Sequence, residues 1–310
     1  MERSGRDSET RRGYLYAILG SICAGSVSAL TKISLATNGP LVVTGVTFLL
    51  SGLILLLYQP RRRPEPGSYR YLVFFGLVGA GLAPLMYTLG LDQTTVVNAS
   101  LLANGEVLFT TVIAFAVFGE RLRRGQAARG LFIVAGLLVV STNLDLSHIA
   151  FFQGLTGNLL ILGSVAGWAV ENNIIVLATK RFDTTLLSKF RNLIGGCVLT
   201  ALFLVGRFPF GFSAYSSAIM VLLALAVSGA TIMFIAAVKR LGAIRMLLVW
   251  STSTLFGAFF GLAALGEQIT VAQVFGGVLI LFGVYLFSRG DRAPEAEPFV
   301  APAGGPAKRP

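Results

Sequence analysis

Glu106 is the side chain in this sequence best placed to do chemistry. It stands near the middle of an apolar stretch, with Asn98 and Asn104 before it and Thr110 after it. Asn98, Glu106 and Thr110 are spaced by eight and four, which on one continuous helix puts them on roughly one face and predicts an inward polar stripe. A second group, Trp168, Glu171, Asn172 and Asn173, and a third, Lys189, Arg191 and Asn192, interrupt apolar runs in the same way. Glu171 and Arg191 can pair, which lowers the cost of burying either charge. Such groups can bind a polar solute, and a carboxylate that gains and loses a proton leaves coupling to protons open. Catalysis is a poorer match, because the single histidine, His148, falls in a connecting segment and no carboxylate pair recurs at helical spacing. Cys23 and Cys197 read as small packing side chains, and no residue set calls for a metal or a cofactor.

These groups need helices to hold them. The chain has 310 residues, 55% of them hydrophobic and 13% charged, and its mean hydropathy is +0.77. That is too little polar surface for ordinary soluble domains, and it predicts an integral membrane protein with lipid as its main surroundings. About 20 apolar residues cross a hydrocarbon layer of roughly 30 Å. Ten segments qualify, near 14–36, 41–58, 70–91, 95–118, 125–143, 155–178, 185–206, 216–238, 243–265 and 271–288. Tight links such as Thr37-Asn38-Gly39-Pro40 and Asp92-Gln93-Thr94 make successive segments antiparallel neighbours.

The net charge of +11 would suggest nucleic acid in a soluble protein. Here the Lys and Arg fall in short runs on alternate links: Arg11-Arg12, Arg61-Arg62-Arg63, Arg121 to Arg129, Lys180-Arg181, Lys239-Arg240 and Arg289-Arg292. The other links hold only Arg207, so the charge is a topology signal, with both termini cytoplasmic in the plasma membrane and no nucleic-acid partner. Leu15 to Ala29 ends in Val27-Ser28-Ala29, which also fits a cleaved leader. The duplication favours a retained helix.

That duplication is explicit. Gly119-Glu120, Gln126, Gly130, Gly136 and Ser141 recur 147 residues later as Gly266-Glu267, Gln273, Gly277, Gly283 and Ser288. Each copy holds five spans, an odd number, so the second must be inverted relative to the first. Matched links swap charge accordingly: Asp92-Gln93 aligns with Lys239-Arg240, and Arg121, Arg123, Arg124 with Gln268, Thr270, Val271. The expected architecture is an all-α membrane protein of ten transmembrane helices in two inverted five-helix repeats. The repeats are 13–143 and 154–288, with a connector at 144–153 and unstructured tails at 1–12 and 289–310.

In the second copy Ser253 stands where the first has Glu106, among Trp250, Ser251, Thr252 and Thr254, so a shared cavity would be chemically asymmetric. Glu120 and Glu267 are expected to meet the N-terminal dipole of the helix that follows each, with gating as the alternative. Pro84 frees a carbonyl about one turn earlier, which either kinks the helix or marks a hinge for gating, with a passive kink the better match. Lys32 reads as an interface anchor. Small-xxx-small pairs such as Gly163/Gly167 and Gly257/Gly261 predict close helix contacts.

Two five-span copies, each closing with an apolar helix, Gly-Glu, a Gln and a Gly-rich helix, resemble the drug/metabolite transporter superfamily, EamA type, over residues 13–288. Gly119-Glu120-Arg121-Leu122 with Gly130 and Gly136, and Gly266-Glu267 with Gly277 and Gly283, carry the resemblance. It implies alternating exposure of a central cavity and, commonly, efflux of amino acids, other metabolites or drugs. Family members often place a Pro just after the position of Glu106; Val107 and Thr254 stand there instead, which speaks against a helix break. The expected substrate is a small amino-acid-like or amphipathic metabolite. A metabolite receptor and an intramembrane enzyme acting on lipid-linked substrates are the alternatives. No signature sets an oligomeric state.

Overall fold

A computed structural model describes residues 2–57, 69–118, 124–142, 150–178, 184–211 and 213–289. Among these residues there is helix and no strand: α1 (Glu2–Leu35), α2 (Pro40–Leu56), α3 (Tyr69–Phe74), a π-helical stretch (Phe75–Leu82), α4 (Ala83–Asp92), α5 (Val96–Ala103), α6 (Gly105–Phe118), α7 (Arg124–Thr142), α8 (Ala150–Ala178), α9 (Thr184–Val205), α10 (Ala214–Leu241), α11 (Ala243–Trp250), α12 (Ser253–Leu265) and α13 (Val271–Arg289). Among the described residues, five stretches are long and apolar enough to cross a membrane: Glu9–Leu35, Tyr69–Asp92, Val96–Val117, Thr185–Val205 and Ala214–Leu241. Pro40–Leu56, Ala128–Thr142, Ser253–Leu265 and Val271–Leu286 are apolar and shorter.

The polarity of the molecule is turned inside out. Leu15, Ile18, Leu131, Leu138, Val278 and Phe282 are exposed, whereas Glu106, Glu171, Lys189 and Arg191 are buried. Water would penalise that arrangement; hydrocarbon outside and polar partners inside make it favourable. The protein is integral to a membrane.

Local sequence sets the helix ends. Pro40 opens α2, where its missing N–H costs nothing. The Thr95 and Ser213 hydroxyls accept from the amides of Asn98 and Ser216 to cap α5 and α10. Gly266 closes α12 at φ 65°, a left-handed conformation that glycine adopts without strain. Residues 2–12, expected as an unstructured tail, instead extend α1. The Glu9 carboxylate accepts from Arg12 at 3.4 Å and from Arg240 at 2.9 Å, tying the start of α1 to the end of α10.

With little hydrophobic drive between helices in lipid, packing comes from close backbone approach. Helices α7 and α13 cross antiparallel, with Gly136 against Ile280 and Gly283 against Ile133. Helices α2 and α9 do likewise, through Gly45 on Leu199, Gly52 on Leu193 and Gly196 on Leu49. Gly163 and Gly167 of α8 take the Met86 methyl and Ala83.

Two breaks depart from the expectation. The segment near 95–118 is divided at Asn104 and that near 243–265 at Ser251-Thr252, positions 147 residues apart, and neither break uses a proline. Side chains take the backbone's partners instead. Asn104 Nδ2 donates to the Leu101 carbonyl at 3.3 Å and to Thr254 Oγ1 at 2.5 Å, and Thr254 Oγ1 donates to the Ser100 carbonyl at 2.9 Å. Thr252 Oγ1 donates to the Val249 carbonyl at 2.7 Å. Tight i→i−3 turns follow at Val107 and Thr254.

Candidate functional site

Pro84 determines the site from within its own helix. In the π-helical stretch the amide of Ala83 bonds back five residues to the Val78 carbonyl. The next bond in that register would run from residue 84 to the Gly79 carbonyl, and proline has no N–H to make it. The orphaned Gly79 oxygen receives Arg191 Nη2 at 2.6 Å and Trp168 Nε1 at 3.2 Å. Pro84 is therefore more than the passive kink expected of it.

Arg191, on α9, is bonded through four of its five N–H groups. Its Nε meets Glu171 Oε1 at 2.5 Å, its Nη2 meets Glu171 Oε2 at 3.0 Å, and its Nη1 donates to Asn192 Oδ1 at 3.1 Å. A two-point pair with two further donors placed on acceptors is an arrangement in which burying both ions is tolerable. Next to Glu171 on α8, Asn172 Nδ2 donates to the Glu106 carboxylate in a very short hydrogen bond. Glu106, Glu171, Arg191 and Asn172 thus come from three helices to one place.

They line a central cavity with about 1190 Å³ of empty space, its mouth included. Trp168, Trp250, Ser253 and Pro84 also line it. The walls are aromatic: Tyr87 lies 5.5 Å from Trp168, centroid to centroid, and Phe234 packs edge-on against Trp250 at 4.9 Å. Tyr87 and Phe234 were missed in the sequence, although they stand 147 residues apart and so occupy matched positions of the two copies. A search for aromatics at the repeat offset would have found them.

Other expected site residues go elsewhere. Asn98 is buried, donating to Thr94 Oγ1 at 3.0 Å and to Asn158 Oδ1 at 2.8 Å; with Asn158 Nδ2 on the Ser141 carbonyl it ties α5 to α8 and the end of α7. Asn104 serves the helix break. Neither they nor Ser251 and Lys189 line the cavity, though all four are buried. The stripe drawn from Asn98 through Glu106 assumed one unbroken helix, and the turn at Asn104 resets the helical phase. Asn173 donates to the carbonyls of Thr110 and Ala169.

Glu267 also corrects its expectation. Its carboxylate caps α5, in the other half of the chain, rather than α13 just ahead of it. Oε1 accepts from the Val96 amide at 2.7 Å and Oε2 from the Val97 amide at 3.0 Å. The start of α13 has its own exchange instead, between Thr270 and Gln273. Lys32, expected as an interface anchor, donates to the carbonyls of Leu91, Asp92 and Thr94 at 2.7, 3.2 and 2.9 Å. A cation thus holds the C-terminal end of α4 and an anion the N-terminal end of α5, each matched to the helix dipole. Glu120 and His148 lie outside the described residues.

Gly79 leaves room for the ion pair, since a Cβ there would land on the Glu171 carboxylate. Gly79→Ala is expected to part Glu171 from Arg191 and to cost about 1–3 kcal/mol as an overpacked site. Thermal unfolding in detergent, against Gly154→Ala as a control where an added Cβ meets nothing within 4 Å, measures the loss.

Known proteins bear on the site as well. A probable amino-acid metabolite efflux pump of Salmonella typhimurium is 26% identical over 300 residues, covering 91% of this chain and 97% of its own. An uncharacterized transporter of Methanothermobacter thermautotrophicus is 26% identical over 295 residues, covering 88% of this chain and 85% of its own. A probable UDP-sugar transporter protein of Danio rerio is 26% identical over 274 residues, covering 86% and 77%. A solved crystal structure shares the fold at TM-score 0.65 with 18% identity, covering 91% of this chain and 98% of that one. The model of the EamA-like transporter family matches residues 11–142 and 155–289, both halves that contribute to the cavity. With an apolar exterior, a central cavity that holds buried charged side chains and a family match over both halves that line it, this chain belongs to the EamA-like transporter family.

Proposed function

We propose that the protein moves a small amino-acid-like or amphipathic metabolite out of the cell by exposing the central cavity alternately to the two sides of the plasma membrane. The observation that carries this reading is the cavity itself: Glu106, Glu171 and Arg191 line it deep in a molecule whose outer surface is aliphatic. Ionisable groups at that depth persist where they serve a pathway. Ten membrane-crossing helices in two inverted repeats suit this reading. The antiparallel pairs α7/α13 and α2/α9 support such symmetry, because Gly136 on Ile280 and Gly283 on Ile133 exchange under the 147-residue offset. The one-sided placement of Lys and Arg supports cytoplasmic termini.

Within this reading Lys32 and Glu267 hold the α4–α5 hairpin against α1 and α12 at the end away from the N-terminus. Their grip loosens when the cavity opens there.

Counterflow in sealed proteoliposomes tests the function. Vesicles loaded with unlabelled amino acids, amines, sugars or nucleosides are expected to accumulate the matching labelled solute transiently against its gradient. Binding without counterflow would favour a receptor, and chemical alteration of the solute an enzyme. Reporter fusions at both ends test the orientation, with cytoplasmic signals expected from each.

A further inference from the structure

The charges around the cavity do not balance. Its acidic and basic lining, among the described residues, is Glu106, Glu171 and Arg191. Two carboxylates against one guanidinium leave one negative charge when all three are ionised. Arg191 is turned to Glu171 instead: four of its five N–H groups donate to Glu171, the Gly79 carbonyl and Asn192, and among the described residues no hydrogen bond joins it to Glu106. Lys189, the other buried cation of α9, does not line the cavity. Glu106 is 8% exposed and holds a neutral amide, Asn172, with no ion pair to it among the described residues.

The surroundings of this carboxylate fit one kind of complement. Trp168, Tyr87, Phe234 and Trp250 present rings to the same cavity. Aromatic faces attract cations, most strongly where water is excluded. The hydroxyls of Ser253 and Thr47 add acceptors nearby, and the Thr47 hydroxyl is buried with no partner.

We infer that the ligand of this cavity carries an ammonium group that pairs with Glu106 while its apolar body lies among the four rings. This rests on the transport reading and names the chemical class of its substrate. An anionic ligand would face the uncompensated carboxylate, and a neutral one would leave that carboxylate without a counter-charge.

The protein contains only two tryptophans, Trp168 and Trp250, and both line the cavity, so intrinsic fluorescence reports directly on its occupancy. The full chain in nanodiscs is titrated with 2-phenylethylamine, n-hexylamine and phenyltrimethylammonium, and with the near-isosteric 3-phenylpropan-1-ol and 3-phenylpropionate. At least one amine or ammonium probe is expected to give a saturable change with at least tenfold higher affinity than the alcohol or the carboxylate. Glu106→Gln, which keeps an acceptor for Asn172, is expected to lower that affinity at least tenfold with little change in thermal unfolding. Glu106→Asp, should Gln fail to fold, is expected to keep the preference for amines at reduced affinity.

Equal or tighter binding of the alcohol or carboxylate, no response to any amine, or an amine affinity untouched at position 106 would overturn the inference. Counterflow separates the two readings. A neutral or anionic solute that is transported leaves the transporter standing without its ammonium preference, whereas amine binding without counterflow does the reverse.

Discussion

Arg191→Met is expected to lower stability by about 3–5 kcal/mol, because it strands the Glu171 carboxylate in a buried site with its charge uncompensated. The same substitution removes the charged donor from the Gly79 carbonyl, which Pro84 has already deprived of its backbone partner. Trp168 Nε1, at 3.2 Å, then remains its sole donor among the described residues. The pair's own worth is a separate quantity. Replacing both ions, as Glu171→Met with Arg191→Met, removes two desolvation costs together and is expected to recover most of the lost stability. Thermal or denaturant unfolding of the wild type, both single variants and the double variant closes the cycle. A double variant no more stable than Arg191→Met would mean that the loss comes from packing rather than from an unpaired charge. Transport should stay low in the double variant even when the fold recovers, since the cavity loses two polar lining groups.

Glu267→Ala should have the next largest effect. It takes the carboxylate acceptors from the amides of Val96 and Val97, two residues almost wholly buried at the first turn of α5. Each buried amide left unsatisfied costs about 1–3 kcal/mol, so for the two roughly 2–6 kcal/mol is at stake. Amide exchange at Val96 and Val97 should speed up while that of α9 stays slow. Glu267→Gln keeps one acceptor oxygen and should lose about half as much. If the carboxylate is only a cap, flux will fall in step with the folded fraction. If it also latches the α4–α5 hairpin, Glu267→Gln will change the flux per folded molecule, and Lys32→Met will change it in the same sense.

The sequence carried much of the architecture for a simple reason: in a membrane each segment must satisfy its own backbone, so helices are legible one at a time. Every expected apolar segment is helical over most of its described length, two of them in two pieces, divided at Asn104 and at Ser251-Thr252. The Glu171–Arg191 contact was anticipated from two opposite charges that hydrocarbon would not tolerate separately. Less was legible where a residue's role depended on another helix. Glu267 was assigned to the helix adjacent in sequence, yet its partners lie about 170 residues earlier. Lys32 looked like an anchor because its carbonyl partners, about 60 residues away, leave no signature in composition.

The helices, the duplication and the set of polar side chains that must turn away from lipid follow from the sequence alone, since each depends on local periodicity, composition or self-similarity. Tertiary structure decided which of those side chains share the cavity. Helical phase is lost at Asn104, where the Thr254 hydroxyl from 150 residues away takes part in the break, and Asn98 and Glu106 then part company. Burial demands that a polar group find a partner; only the packing of the helices selects which one.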